Sequence, residues 1–433
     1  MSETDEGAAA KRRALELTRR YVAPHRVAVW DEFGTQLVVG RREGYRLWDL
    51  DGRELIDMHL NGGTFNLGHR NPEIVQTLLD ASAALDIGNH HFASLARAEL
   101  AELLAQLTPG QLTYTVFAAS GGEAIDIAIK TARRATGRRR IVALAAGFHG
   151  RTGLSGAAGE DTGAAYFLSD QPSDFTQVPF ADPEAIEVEL RTEDVAAVLL
   201  ETVPATYGFP VPPPGYLPVV EALCERYGTL YIADEIQTGL GRSGCLWGVE
   251  AFGAQPDILV TGKGLSGGVY PIAATVIAPH AAGWLHERGW GHVSTFGGAE
   301  IGCRVAERVL QITTRLEVER RVAQLIERFA TGLVRLRETQ PYLVEVRQSG
   351  LVIGLRVAHP DGAVFLQQEL FELGVWAIAS GFDQSVLQFK PGLLLDDELA
   401  DTVLERLELA LARAKDARRP VPSRHPQPPS GGR

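Results

Sequence analysis

Two short stretches decide the fold: LYIAD at residues 230–234 and ILVTGKG at residues 258–264. Each begins with an unbroken run of apolar side chains, and Asp234 and Lys263 come at or just after the ends of these runs. Continuous apolar runs of this length are typical of strands in a parallel sheet covered by helices on both faces. Ligands of such sheets bind beyond the carboxyl ends of the strands. The sequence therefore predicts an α/β fold with Asp234 and Lys263 close together at one edge of the sheet.

Further strand and helix patterns alternate along the chain. Strands are predicted at 141–146 and 195–201 and helices at 123–136 and 216–227, which indicates a large domain with a mostly parallel, mixed sheet covered by helices. From about residue 330 the pattern becomes that of a smaller α+β domain. Its predicted elements are strands at 343–347, 351–357 and 386–390 and helices at 362–373 and 398–415. A β-hairpin at 45–51 and 54–58 is expected to pack with it.

The predicted boundaries follow from these patterns and from the composition of the ends. We predict disordered tails at 1–13 and 419–433, the second because proline and glycine leave little to bury. Residues 61–325 are expected to form the large cofactor-binding domain. The small domain is expected to combine residues 14–60 with residues 326–418.

Composition excludes several functional classes. The 433 residues carry a net charge of -12, which disfavours binding to nucleic acids and to anionic membranes. Three cysteines without CxxC spacing argue against a disulfide framework and a metal site. No apolar run reaches the roughly 20 residues of a membrane helix, and the N-terminus lacks the apolar stretch of a signal peptide. A cytoplasmic protein is therefore expected.

Candidate functional residues lie near predicted strand ends. Ser120-Gly121-Gly122 opens a helix whose free N–H groups form a potential phosphate site, and Phe148 and His149 offer aromatic rings that can stack on a planar ligand. Lys263 lies between two glycines and becomes a nucleophile once burial lowers its pKa. Each motif alone is more often structural: a turn, a core aromatic, or a capping or ion-paired acid such as Asp234. Together they supply what pyridoxal phosphate (PLP) requires, namely a Schiff-base lysine, an acid for the pyridine nitrogen, a stacking ring and a phosphate cradle.

Longer motifs carry a resemblance to a known family. They are ADEIQTGLGRSG at 233–244, PDI at 256–258, GKGLSGG at 262–268, NLGHRNP at 66–72 and STFGG at 294–298. These motifs resemble those of class III (ω-type) aminotransferases, which are PLP enzymes of fold type I. The resemblance spans residues 45–410 approximately and is most specific across 230–300. It implies a homodimer that transfers an amino group between small amino and oxo compounds.

The resemblance also implies a role for each matching residue. Lys263 holds the cofactor as a Schiff base and then moves the proton between substrate and cofactor, while Asp234 pairs with the pyridine nitrogen. The other implied contacts are Ile236 and Phe148 on the two ring faces, Gln237 at the ring hydroxyl, Gly121 and Gly122 at the phosphate, Thr295 of the partner subunit at the same phosphate, and Glu201 as a supporting acid. Ser120 and His149, which adjoin these contacts, complete the candidate cofactor site.

Three positions depart from the family pattern. Gly122 stands where the family usually has Ser or Thr, which removes one side-chain contact to the phosphate. Gln388 replaces an Arg that clamps the substrate α-carboxylate in many members, and Thr206 replaces the Glu that pairs with that Arg in several. Lys390 shares a face with Gln388 if the strand is regularly pleated. Gln388 and Lys390 are therefore the candidate substrate contacts.

These departures leave the reaction open at the level of sequence. The first interpretation is a ping-pong aminotransferase. The alternative is a PLP-dependent lyase of the phospho-lyase type, or an epimerase, because these relatives use the same carbanion. A non-catalytic regulator is disfavoured because both Lys263 and Asp234 are present.

Overall fold

The computed structural model describes residues 3–415 apart from 89–90 and 160, so the predicted tail at 419–433 lies outside the described residues. The chain opens with helices α1 (Glu3–Tyr21) and α2 (Pro24–Phe33) and strands β1 (Val39–Glu43), β2 (Arg46–Asp49) and β3 (Glu54–Asp57). The antiparallel pairing of β2 with β3 confirms the predicted hairpin.

The N-terminal segment differs from its prediction. Residues 3–13 lie within α1, so disorder is the wrong prediction for them. This segment contains Ala, Lys, Arg and Glu, which favour helices. Lys11 ties it to the hairpin, because its Nζ lies 2.5 Å from Asp49 Oδ2 and 2.7 Å from Asp51 Oδ2.

A mixed sheet of seven strands forms the centre of the described part of the chain. Its strands are β4 (Tyr114–Ala118), β5 (Arg140–Leu144), β6 (Phe175–Val178), β7 (Val195–Glu201), β8 (Leu230–Asp234), β9 (Ile258–Thr261) and β10 (Ala273–Ile277). Their order across the sheet is β4-β10-β9-β8-β7-β5-β6. β10 runs antiparallel to β4 and β9, and the other neighbouring strands of this sheet pair in parallel. The predicted α/β class with a mostly parallel sheet is confirmed.

Helices lie on both faces of this sheet. The helices of this part of the chain are α3 (Leu60–Gly63), α4 (Pro72–Ser82), α5 (Leu95–Leu107), α6 (Gly121–Thr136), α7 (Gly153–Ala158), α8 (Asp161–Tyr166), α9 (Pro183–Leu190), α10 (Tyr216–Tyr227), α11 (Gly248–Ala251), α12 (Gly283–Glu287) and α13 (Glu300–Thr313). The next helix, α14 (Leu316–Thr339), packs instead against the C-terminal elements. Every residue of β7 and β8 is buried. Val198 and Leu200 pack into one apolar cluster, while Ala197 and Leu199 pack into another. This double burial explains the continuous apolar runs in the sequence.

Besides the central sheet and the sheet of the N-terminal strands, the C-terminal part of the chain adds a further sheet with its own helices. Its elements are β11 (Leu343–Ser349), β12 (Val352–Val357), α15 (Gly362–Glu372), β13 (Val375–Trp376), β14 (Ile378–Ala379), β15 (Val386–Phe389) and α16 (Asp397–Ala414). β11, β12, β15 and β14 form the sheet in that order, whereas β13 pairs in parallel with β3. The N-terminal strands and the C-terminal segment therefore pack together, and the ends of β3 and β15 meet where Lys390 N–H donates to Met58 O at 2.8 Å.

Candidate active site

A cavity of about 500 Å³ opens at the carboxyl ends of the central strands. Asp234 is the last residue of β8, and Lys263 opens a short 3₁₀ turn, Lys263–Ser266, just after β9. β8 and β9 are hydrogen-bonded neighbours, and both side chains line the cavity. The structure thus brings together the two residues that the strand pattern placed at one edge.

Lys263 is held tightly against the segment that follows β3. Its own backbone is left-handed, with φ of 43°. Gly62 packs so closely against it that a Cβ at Gly62 would lie 2.9 Å from Lys263 Cε. Burial lowers the pKa of Lys263, although nearby Asp234 and Glu201 favour its charged form. A lowered pKa increases the fraction of neutral amine, which is the form that attacks a carbonyl carbon.

Asp234 is fixed by hydrogen bonds to both carboxylate oxygens. Its Oδ2 lies 2.8 Å from Nδ1 of His149, and its Oδ1 accepts the N–H of Ile236 at 3.1 Å. His149 is itself buried, and its Nε2 has no hydrogen-bond partner within the described residues. His149 therefore holds Asp234 in one orientation. A fixed orientation is what the predicted pairing of Asp234 with the pyridine N–H requires.

Glu201 organises the loops around the cavity. It ends β7, and its oxygens accept the N–H groups of Phe148 at 2.8 Å and Ala205 at 3.1 Å. Burial raises the pKa of Glu201. These hydrogen bonds hold the backbone of two loops, and the supporting role of Glu201 at the cofactor stays a prediction.

The predicted phosphate contacts lie at the start of α6. Ser120 is the N-cap residue of this 16-residue helix, and Gly121 and Gly122 line the cavity. A Cβ at Gly121 would lie 2.9 Å from Ile236 Cδ1, and one at Gly122 would lie 2.9 Å from Thr152 Oγ1. A larger residue at either position would displace its neighbours, so glycine keeps the helix N-terminus open to an anion. The Thr152 hydroxyl also stands beside the position where the family pattern has a hydroxyl residue.

The remaining predicted cofactor contacts lie in two places. Phe148, Ile236 and Gln237 line the cavity with Lys263. Thr295 does not; it lines a separate surface cavity of about 380 Å³. Its contact with the phosphate of a partner subunit stays a prediction.

The two candidate substrate contacts lie side by side at the end of β15, with Gln388 in the strand and Lys390 just after it. Lys390 Nζ lies 2.6 Å from Gln388 Oε1 and 3.0 Å from His59 Nδ1, and Gln388 Nε2 donates to Ala205 O at 2.7 Å. Gln388 lines the cavity, whereas Lys390 is fully buried beside it. The hydroxyl of Thr206 donates to Ala146 O, so no ion pair occupies the place of the family's Arg and Glu.

Sequence reasoning missed one wall of the cavity. His59, Asn61 and Gly62, which follow β3, line it together with Ile378 and Ala379 of β14. The adjacent glycines Gly62 and Gly63 could have indicated this wall from the sequence. In the structure, Gly62 has a left-handed φ of 72° and packs against Lys263. No local pattern identifies His59, because its contact with Lys390 joins residues far apart in the sequence.

Comparison with known proteins settles the family. A model described as aminotransferase class-III matches residues 28–411. The chain belongs to the class III aminotransferases. An uncharacterized aminotransferase of Archaeoglobus fulgidus is 45% identical over 415 residues, covering 96% of this chain and 97% of the relative.

Solved structures agree with this assignment. Ornithine aminotransferase from Toxoplasma gondii ME49 superposes with a TM-score of 0.84 at 25% identity, covering 94% of this chain and 96% of that one. Acetylornithine aminotransferase from Elizabethkingia anophelis gives a TM-score of 0.80 at 27% identity, covering 93% and 99% of the two chains.

Several sequence-based predictions are therefore confirmed. The protein has fold type I, uses PLP and is a transaminase that acts on small amino and oxo compounds. The comparisons give no support to the lyase or epimerase alternative. Among the helices of residues 3–415 that the structure describes, none is long and apolar enough to span a membrane.

Proposed function

We propose that Lys263 binds the cofactor and carries the proton in this aminotransferase, and that Asp234 binds the ring nitrogen. The observation that supports this most strongly is the single cavity at the ends of β8 and β9 that both side chains line. Other lysines are less suitable. Lys390, for example, is buried next to the cavity but is already bonded to Gln388 and His59.

The cavity also fits the other parts of the cofactor. The helix start at Gly121 and Gly122 suits the phosphate, because a side chain at either position would collide with its neighbours. Ser120 caps this helix. Phe148 and Ile236 supply apolar surfaces for the ring, and Gln237 supplies a polar group for the ring hydroxyl.

When bound, PLP supplies an electron sink for the carbanion that forms when the substrate carbon loses its proton. The protein's own groups do the rest. Lys263 Nζ takes that proton and returns it at a second atom, which a partly neutral amine does well near neutral pH. Asp234, held by His149, keeps a proton on the ring nitrogen and so maintains the sink.

Two substitutions test these roles. Lys263→Ala should abolish the visible absorbance of the covalently held cofactor and all turnover. Lys130→Ala, which removes an exposed lysine of α6, is the matched control and should leave both unchanged. Asp234→Asn should retain the absorbance of the attached cofactor but lose most turnover. Wild-type absorbance in Lys263→Ala, or near-normal turnover in Asp234→Asn, would contradict the assignment.

We also propose that the enzyme is a homodimer in which Thr295 completes the partner's phosphate site. Thr295 lines a surface cavity bordered by Trp290 and Val293, each 65% exposed. Phe296 and Phe92 add further exposed apolar surface, at 52% and 81%. Exposed apolar patches of this kind mark protein interfaces.

The substrates and the location of the enzyme also remain proposals. Ornithine and acetylornithine are named for two solved relatives, and a panel of amino donors that includes both tests whether either is used here. Appearance of the amino form of the cofactor without an acceptor identifies a donor. A cytoplasmic location is our prediction, and fractionation of cells tests it.

A further inference from the structure

A chain of hydrogen bonds leads from the protein interior to the cavity wall opposite the central sheet. Gln388 Nε2 donates to Ala205 O at 2.7 Å, which turns its Oε1 towards Lys390. Lys390 Nζ donates to that Oε1 at 2.6 Å. It also lies 3.0 Å from Nδ1 of His59. The amide orientation of Gln388 is thus set by a backbone carbonyl, and the amine of Lys390 is directed at His59.

Lys390 Nζ has an N–H for Gln388 Oε1 and a second for His59 Nδ1, whether the amine is protonated or neutral. We assign Nδ1 as the acceptor of this second N–H. In that tautomer the other nitrogen, Nε2, carries the hydrogen. His59 lines the cavity, and the described residues provide no partner for its Nε2. His59 therefore presents one N–H donor to whatever enters the cavity.

The surroundings of His59 are electropositive. Burial lowers the pKa of His59 well below its usual range, and Lys390, Lys263 and Arg242 lower it further. Burial likewise lowers the pKa of Lys390, again with a contribution from Arg242 and Lys263. Asp57 acts on the pKa of Lys390 in the opposite direction, as the smallest of these effects. Arg242 keeps its charge because its pKa stays at about 10, so an anionic group beside His59 would be favoured electrostatically.

We propose that His59 Nε2 binds a carboxylate oxygen of the substrate and that Lys390 positions His59 for this contact. This inference rests on the proposed role of Lys263, since it concerns the substrate of that same site. His59 would supply an anion contact at the place where Gln388 and Thr206 replace the Arg and Glu of the family pattern. One outward N–H suits a carboxylate better than a phosphate group, which needs several donors.

Two variants of His59 separate the two ring nitrogens. In His59→Gln, the amide Nε2 takes the place of the imidazole Nε2 and can still reach the substrate. In His59→Asn, the shorter side chain can still accept from Lys390 but does not reach the cavity. Both remove the imidazole, so a loss confined to His59→Asn is due to the missing donor.

The assay compares three amino donors of similar length: 4-aminobutyrate, 3-aminopropylphosphonate and butylamine. His59→Asn should raise KM for 4-aminobutyrate by about 10- to 100-fold, the effect of losing a hydrogen bond to a charged group. KM for butylamine should change by less than about threefold, and His59→Gln should keep KM for 4-aminobutyrate within about threefold of wild type. Equal losses for 4-aminobutyrate and butylamine, or a loss only for the phosphonate, would overturn the proposal.

Binding of propionate supplies a readout that does not depend on turnover. Calorimetry with the PLP-loaded enzyme should show propionate binding that weakens at least about tenfold in His59→Asn and, because His59 loses its orientation, also in Lys390→Met. Absence of propionate binding to the wild-type enzyme would overturn the proposal. Because cofactor absorbance is recorded in every sample, failure of the site at Lys263 would be seen separately as loss of that absorbance.

Discussion

Replacement of Gly62 by Ala tests how closely the cavity wall controls Lys263. Gly62 has φ of 72°, and an added Cβ would lie 2.9 Å from Lys263 Cε and 3.2 Å from Gln237 Oε1. The left-handed backbone costs Ala about 1–2 kcal/mol relative to glycine. The contact with Cε adds a second effect, because the flexible end of the lysine side chain must move away. We therefore expect a modest loss of stability and a large loss of cofactor attachment.

Gly34→Ala is the matched control for this experiment. Gly34 has a similar φ of 65°, and nothing lies within 4 Å of a Cβ built there. Both variants should lower the free energy of unfolding of the cofactor-free protein by about 1–2 kcal/mol in urea at equal protein concentration. Only Gly62→Ala should also weaken PLP binding, by tenfold or so if Lys263 loses about 1.4 kcal/mol of favourable positioning. Wild-type PLP affinity in Gly62→Ala, or equal losses of affinity in both variants, would refute the reasoning.

Two further predictions concern a buried acid and the subunit interface. Burial raises the pKa of Glu235 to about 7 from 4.5. The folded protein therefore holds this proton more tightly than the unfolded chain, and up to about 3 kcal/mol of stability should be lost as pH rises from 4.5 to 7. Glu235→Gln should show a flatter pH profile in urea unfolding, and an unchanged slope would contradict the shift. Mixing equal amounts of inactive Lys263→Ala and Thr295→Asp subunits should restore about a quarter of wild-type activity, because about half of the dimers are mixed and one of the two sites in each is intact. No recovery would place Thr295 outside the partner's site.

The sequence was sufficient to predict the central sheet and its most important edge. β7, β8 and β9 are buried on both faces, so their apolar runs are continuous and their ends are easy to locate. The motifs at these ends lie within a few residues of the strands, which is why Asp234 and Lys263 could be placed together. The N-terminal helix was missed because composition suggested a tail, whereas long-range ion pairs of Lys11 hold it.

The opposite wall of the cavity was beyond prediction from local patterns. His59 contacts Lys390 across 331 positions of the chain, and no periodicity within either segment reports such a contact. Whether Gln388 and Lys390 lie side by side depended on the path of the chain at the end of β15, and their side chains are hydrogen-bonded. Gln388 also meets Ala205, 183 positions away. Contacts of this kind follow from packing of whole sheets.

The two walls of the cavity come from different parts of the chain, and this division matters for altering the enzyme. Residues proposed to hold the cofactor lie at the ends of β8 and β9 and at the start of α6, whereas His59, Ile378, Ala379 and Gln388 come from the segment after β3 and from β14 and β15. Selection for a new amine can therefore begin with residues 378–388 while the chemical machinery is left untouched. Libraries restricted to that stretch would vary the wall that faces the substrate and leave Lys263 and Asp234 unchanged.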